Sequence, residues 1–150
     1  MKLRATWLLL ACFTLLAGCG GPTTIYVRGI EPLNVNDKNE STSVDIRIFQ
    51  LKDDAAFMNK PFDQLWENKG EVLGGDRLGE PKQITVYGGP ASADPTPIEL
   101  GDLNKDCRFV GVMALYPKSD GKGTQRVVVA ASDADGVVFE LTGYRIELKK

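Results

Sequence analysis

The 150 residues carry 18 basic and 20 acidic side chains, a formal charge of −2, and no histidine. A mildly acidic chain with no basic run offers no electrostatic footing for nucleic acid. The missing imidazole removes the commonest general base and the commonest metal ligand.

Lys2 and Arg4 open the chain, and an uncharged apolar run follows from Ala5 to Ala17. A positive start and an apolar stretch too short to span a bilayer make a secretion signal. The run closes on Leu16-Ala17-Gly18-Cys19. That is a branched apolar residue, two small residues and a thiol, the order at which a lipoprotein signal peptidase cuts. Residues 1–18 are therefore expected to be a lipoprotein signal peptide, with Cys19 as the lipidated first residue of the mature protein. The segment 19–23, with Gly20-Gly21-Pro22, reads as a lipidated N-terminus and tether. Gly20 stands where an aspartate would hold a lipoprotein in the inner membrane. The expected destination is the outer membrane, with the body facing the periplasm.

Removing residues 1–18 leaves sixteen basic against twenty acidic residues, a formal charge of −4, and a single domain over 24–150. Of three cysteines, Cys12 leaves with the signal and Cys19 takes lipid, so Cys107 has no intramolecular partner. It is expected to pack as a small hydrophobe where a central strand begins.

The mature chain reads as short strands separated by turn chemistry. Thr24–Gly29 is β-prone. A polar segment follows, Asn34, Val35, Asn36, Asp37, Lys38, Asn39, Glu40, Ser41, Thr42 and Ser43, in which Val35 is the only apolar side chain. It is too long for a tight hairpin turn and is expected to project from the domain. Val44-Asp45-Ile46-Arg47-Ile48 then alternates with period two, apolar in and charged out. Asp53 and Asp54 precede a short helix at Ala55–Met58, and Pro61 suits the start of a second. Phe62, Leu65 and Trp66 share one helical face, which packs on a sheet, and Gly74-Gly75 should end any helix. Further strands are expected at 83–87, 96–100, 108–116, 125–131, 137–141 and 144–149. The turns between them include Gly88-Gly89-Pro90, Asp120-Gly121-Lys122-Gly123 and Thr142-Gly143. About eight strands with one helical insertion make a two-sheet β-sandwich.

Catalytic motifs are missing. There is no Gly-x-Ser-x-Gly elbow and no phosphate loop, and one free cysteine cannot build a thiolate metal site. Asp133, Asp135 and Gly136 read as a turn rather than a calcium loop. Paired carboxylates for hydrolysis are a spatial matter that sequence leaves open. No metal and no cofactor are expected, and the chain is read as a binding or scaffold protein rather than an enzyme.

Three stretches bear a likeness. They are Val44-Asp45-Ile46-Arg47-Ile48-Phe49-Gln50-Leu51-Lys52; then Phe57, Phe62, Leu65 and Leu73-Gly74-Gly75-Asp76-Arg77-Leu78; and Gly111-Val112-Met113-Ala114-Leu115-Tyr116. Together with the cysteine motif they resemble, in order, the outer-membrane lipoprotein of the type VI secretion system, the TssJ (SciN) family. Phe49 stands where that family usually has Tyr, and Pro117 follows Tyr116 where Arg is common. The resemblance implies an all-β, transthyretin-like sandwich with a short helical insertion and no enzymatic activity. It also implies a partner, the periplasmic C-terminal domain of TssM, held by the loop between the first two strands, here Asn34–Ser43. The competing reading is a periplasmic ligand-binding or hydrolase-inhibitor lipoprotein on a similar sandwich.

Overall fold

The computed structural model describes residues 21–118 and 125–149. Cys19, the signal segment and the turn expected at 120–123 lie outside the described residues.

Alternating apolar residues build β1 (Thr23–Leu33), in which Ile25, Val27 and Leu33 are buried. The polar segment then leads to β2 (Val44–Leu51). Two short helices follow, α1 (Ala55–Asn59) and α2 (Phe62–Glu67), with a 3-10 run over Glu71–Asp76 that breaks at Gly74. The remaining strands are β3 (Lys82–Val86), β4 (Gly88–Gly89), β5 (Thr96–Gly101), β6 (Phe109–Leu115), β7 (Arg126–Ala130), β8 (Val138–Gly143) and β9 (Arg145–Lys149).

They form two sheets. One runs β4-β1-β8-β9, with β5 pairing antiparallel to the first half of β1 and β4 parallel to its second half. The other runs β3-β2-β6-β7, antiparallel throughout. Facing side chains fill the space between them: Ile25, Val27 and Leu33 of β1, Val44, Ile46 and Ile48 of β2, Val110, Val112 and Ala114 of β6, Phe139 and Leu141 of β8. This is the expected sandwich.

A second core lies on the other side of the β2 sheet. Phe49, Leu51 and Met113 point away from the first core and meet Phe57, Leu65 and Leu73 of the helical insertion. Gly111 makes this possible, because a Cβ there would come within 2.9 Å of the Phe57 ring and of Leu51. The alternation read in β2 therefore needs correcting. Its outward face is not a charged, solvated one: Arg47 is only 9% exposed, and Phe49 and Leu51 are fully buried.

Arg47 and Arg126 secure the insertion. Arg47 donates through Nε to Gln83 Oε1 at 2.9 Å and through Nη1 to the Trp66 carbonyl at the end of α2. Its guanidinium lies 4.1 Å from the Trp66 ring centre. Arg126 donates to the carbonyls of Phe57 and Lys60, at 2.6 and 2.8 Å, where α1 ends. Cations at carbonyl ends of helices satisfy acceptors that the helix itself cannot. Desolvation by burial lowers the pKa of both arginines, with Asp45 acting in the opposite direction on Arg47.

Three strands of the β1 sheet are joined across their outer face. Glu140 of β8 accepts from Arg28 of β1 at 2.6 Å and faces Lys149 of β9 at 3.4 Å. Burial pushes the Glu140 carboxyl up, but the bonds and charges of Arg28 and Lys149 outweigh it and hold the group below its ordinary value.

Two differences from the sequence reading concern β1 and β4. β1 runs on past Gly29 to Leu33, with a register shift against β8 between Ile30 and Leu33, around Pro32. Gly88-Gly89, read as a turn, forms a two-residue strand beside Gly29-Ile30. A Cβ on Gly29 would meet the Tyr87 carbonyl at 2.4 Å, so glycine is what lets the chain cross there.

Candidate functional site

β1 and β2 lie in different sheets, so the segment Asn34–Ser43 must bridge the end of the sandwich. Its polar side chains organise it from within. Asn36 Oδ1 accepts from the backbone amides of Lys38 (2.9 Å) and Glu40 (3.0 Å), while Asn36 Nδ2 donates to Glu40 Oε2 (2.9 Å). The Asn39 amide returns to the Asn36 carbonyl at 3.0 Å. Asn34 and Asn39 have positive φ, 45° and 60°, a conformation asparagine adopts more readily than most residues. The exposed tip, Asp37, Lys38 and Asn39, is thus shaped by one buttressing side chain. Local hydrogen bonds of this kind are what Asn, Ser and Thr supply in turns.

The base of the loop is tied to the sandwich. Asn34 Nδ2 donates to Thr42 Oγ1 and to the Ser43 carbonyl, both at 2.8 Å, and the Thr42 hydroxyl donates back to the Asn34 carbonyl at 2.6 Å. The Leu33 amide bonds Ser41 Oγ at 3.1 Å. Underneath, the Tyr144 hydroxyl donates to the Val35 carbonyl at 2.8 Å, leaving Val35 half-buried. Tyr144 meets Tyr116 edge-on at 6.2 Å, and Tyr116 donates to the Arg145 carbonyl at 2.8 Å. Burial pushes the Tyr116 hydroxyl pKa well up. An ion pair between Lys118 and Asp37, 3.6 Å apart, is exposed on both sides and contributes little. Sequence reasoning located this segment by its polarity. It missed the internal template at Asn36, because which amides an Asn reaches depends on backbone angles.

Gly21 and Pro22, in the segment expected to be the tether, lie at the opposite end. Both are exposed, whereas Thr23 pairs with Gly101, Thr24 N donates to Asp135 Oδ1 and Thr24 O accepts from Gly136 N. Eleven residues of β1 separate tether from loop, about 35 Å at strand rise. Asp135 thus serves as a turn acceptor. Among the described residues no group of three or more potential ligands is close enough to hold a metal.

Cys107 is half-buried just before β6, with its thiol 3.3 Å from the Phe109 carbonyl and no disulfide partner among the described residues. Burial pushes the thiol up, against backbone hydrogen bonds at Leu51 and Phe109 that favour the thiolate. A thiol held in its protonated form oxidises slowly. Cys107→Ala is expected to leave the thermal midpoint within a few degrees (about 1 kcal/mol). Air-oxidised protein lacking Cys19 should stay monomeric by non-reducing gel and intact mass; a disulfide dimer would refute this placement.

Residues 22–150 match the family described as type VI secretion lipoprotein, VasD, EvfM, TssJ. The chain belongs to that family. It is therefore a lipoprotein of type VI secretion, and its architecture agrees with solved members of that group. A chain of a structure named "Type VI membrane complex" superposes with a TM-score of 0.75 at 25% identity, over 87% of this chain and 98% of that one. Serratia marcescens Lip, named as a membrane-bound component of the type VI secretion system, superposes at 0.73 and 19% identity over the same shares. The lipoprotein TssJ1 from Pseudomonas aeruginosa superposes at 0.68 and 24% identity, over 86% of this chain and 98% of TssJ1. No curated protein sequence shows a significant match. The expected secretion-lipoprotein fold, sandwich and helical insertion together, is the one found.

Proposed function

We propose that this type VI secretion lipoprotein is a structural, non-enzymatic anchor. Lipid on Cys19 fixes it to the periplasmic face of the outer membrane, and the loop Asn34–Ser43 binds the periplasmic C-terminal domain of TssM. The observation behind the reading is the opposition of tether and loop along β1, which turns a loop of defined shape away from the membrane. Binding by a pre-organised loop on a rigid scaffold costs less ordering than binding by a mobile one.

One comparison supports the partner. A chain in a structure named "T6SS protein TssM C-terminal domain (869-1107) from EAEC" superposes with a TM-score of 0.71 at 22% identity, over 87% of this chain and 98% of that one. The name of that structure associates this fold with the TssM C-terminal domain, which supports the reading.

The test replaces Asn36 through Glu40 by a Gly/Ser stretch of equal length in the mature chain carrying Cys19→Ser. Both cores close within residues 23–149, so this chain retains the whole sandwich. Its thermal midpoint should stay within a few degrees, because four of the five replaced residues, 37–40, are exposed. Affinity for the cognate TssM domain, by calorimetric titration, should fall at least about tenfold, a loss of about 1.4 kcal/mol. Wild-type affinity in the folded variant would overturn the assignment of the loop.

A further inference from the structure

The helical insertion leaves the upper row of the β2 sheet's outer face uncovered. Alternate residues of a strand share a face, so Asp45, Arg47 and Phe49 of β2 stand on one side with Leu115 and Met113 of β6 and Thr85 and Gln83 of β3. Phe49 and Met113 lie under the insertion, and Arg47 marks its border. The next row out is Leu115, Asp45, Thr85, paired side by side across three strands. Tyr87 follows Thr85 by two residues, where the chain leaves β3.

This row is chemically unlike the rest of the surface. Tyr87 is 74% and Leu115 39% exposed; among the described residues only Met58 joins them as a large apolar side chain that open to solvent. Beside Leu115 sits Asp45, one of whose carboxylate oxygens accepts from the Thr85 hydroxyl at 2.6 Å. Arg47, two residues along the same face, acts on it through space, but among the described residues no cation comes within 4 Å of it. The strip adjoins the loop directly. Asn34 and Ser43 from the loop, with Asp45, Leu115 and Pro117, line one hollow of about 390 Å³.

We infer that this Leu115–Asp45–Thr85–Tyr87 strip is the second half of the partner interface, seating a TssM segment that presents a basic side chain between two apolar ones. The inference rests on the loop reading above and names what that reading omits, the apolar anchors. A polar loop alone makes a poor interface centre, since large apolar side chains in desolvated hollows usually dominate binding energy. Strands lie about 4.8 Å apart, so Leu115 and Thr85 stand about 10 Å apart, with the acid midway.

Calorimetric titrations of the mature Cys19→Ser chain with the cognate TssM C-terminal domain test this. Leu115→Asp should weaken binding at least about tenfold and Tyr87→Ala at least about fivefold. Asp45→Asn keeps an acceptor for Thr85, and should weaken binding about threefold while flattening its salt dependence. Thermal midpoints report folding, and Leu115→Ala serves should the aspartate disturb the strand. Strip variants within twofold of wild type, alongside a Gly/Ser loop variant that loses binding, overturn the strip and leave the loop reading intact. Loss in the strip variants with full binding by the loop variant upholds the strip and moves the interface off the loop. Full binding by all of them overturns both.

Discussion

Cys19→Ser is expected to abolish acylation and remove the protein from the outer-membrane fraction while leaving the sandwich folded. Serine offers no thiol for a thioether-linked diacylglycerol, and without that modification the signal is not cut at Gly18-Cys19. Anchoring by a single acyl chain is marginal and becomes stable only with more than one, so the effect should be close to all-or-none. No described helix is long and apolar enough to cross a membrane. Folding is indifferent because Gly21 and Pro22 are exposed and the first engaged residues are Thr23 and Thr24. Fractionation with radiolabelled palmitate checks the lipid, and a thermal midpoint on the purified mature chain carrying Cys19→Ser checks the fold. Equal palmitate incorporation by the variant would refute the site. A second arm concerns destination: Gly20→Asp should shift the lipidated protein toward the inner membrane, and unchanged fractionation would contradict outer-membrane sorting.

Phe57→Ala is expected to be the most damaging single change to the fold. Phe57 is fully buried, its ring 5.4 Å from that of Phe49 at 56°, and it fills the space Gly111 leaves open. Removing an aromatic ring from such a site costs about 3–5 kcal/mol, transfer and cavity together. For a domain of this size that lowers the thermal midpoint by about 10 °C or more. Hydrogen exchange should locate the damage. Amides of α1 and α2 should lose protection before those of β1 and β8, because the second core is separate from the one between the sheets. A loss below about 1 kcal/mol would mean that the insertion does not depend on this ring.

These two sites differ in how far the sequence betrays them. Phe57 appears as one more apolar residue in a short helical stretch, and nothing nearby reveals that it lands on Gly111, fifty-four residues away. The same blindness explains Arg47. Period-two alternation in β2 is correctly visible, but whether its outward face meets water or an insertion is decided by segments further along the chain. Leu115 was hidden differently. β6 is apolar on both faces, as a central strand should be, and only the limited reach of the helices leaves its last residue bare. β4 could not be read because two glycines carry no periodicity, and their pairing with Gly29-Ile30 is purely spatial. The loop at 34–43 was legible as polar and long. Its order was not, since that depends on Asn36 closing on Glu40.

The run of β1 also decides how the domain meets tension. A partner pulling on the loop while lipid holds the tether would stretch the protein along this one strand. β1 is central: β8 pairs with it along one side, β5 and then β4 along the other. Its hydrogen bonds lie across the pull, so they are sheared together rather than unzipped one at a time. Arg28, Glu140 and Lys149 add cross-links between neighbouring strands on the sheet's outer face. Under force the relevant quantity is the rate of unfolding, not the equilibrium stability. A domain strung this way should yield far later when drawn from tether to loop than when drawn from tether to Lys149, where β9 lies at the sheet's margin and can peel.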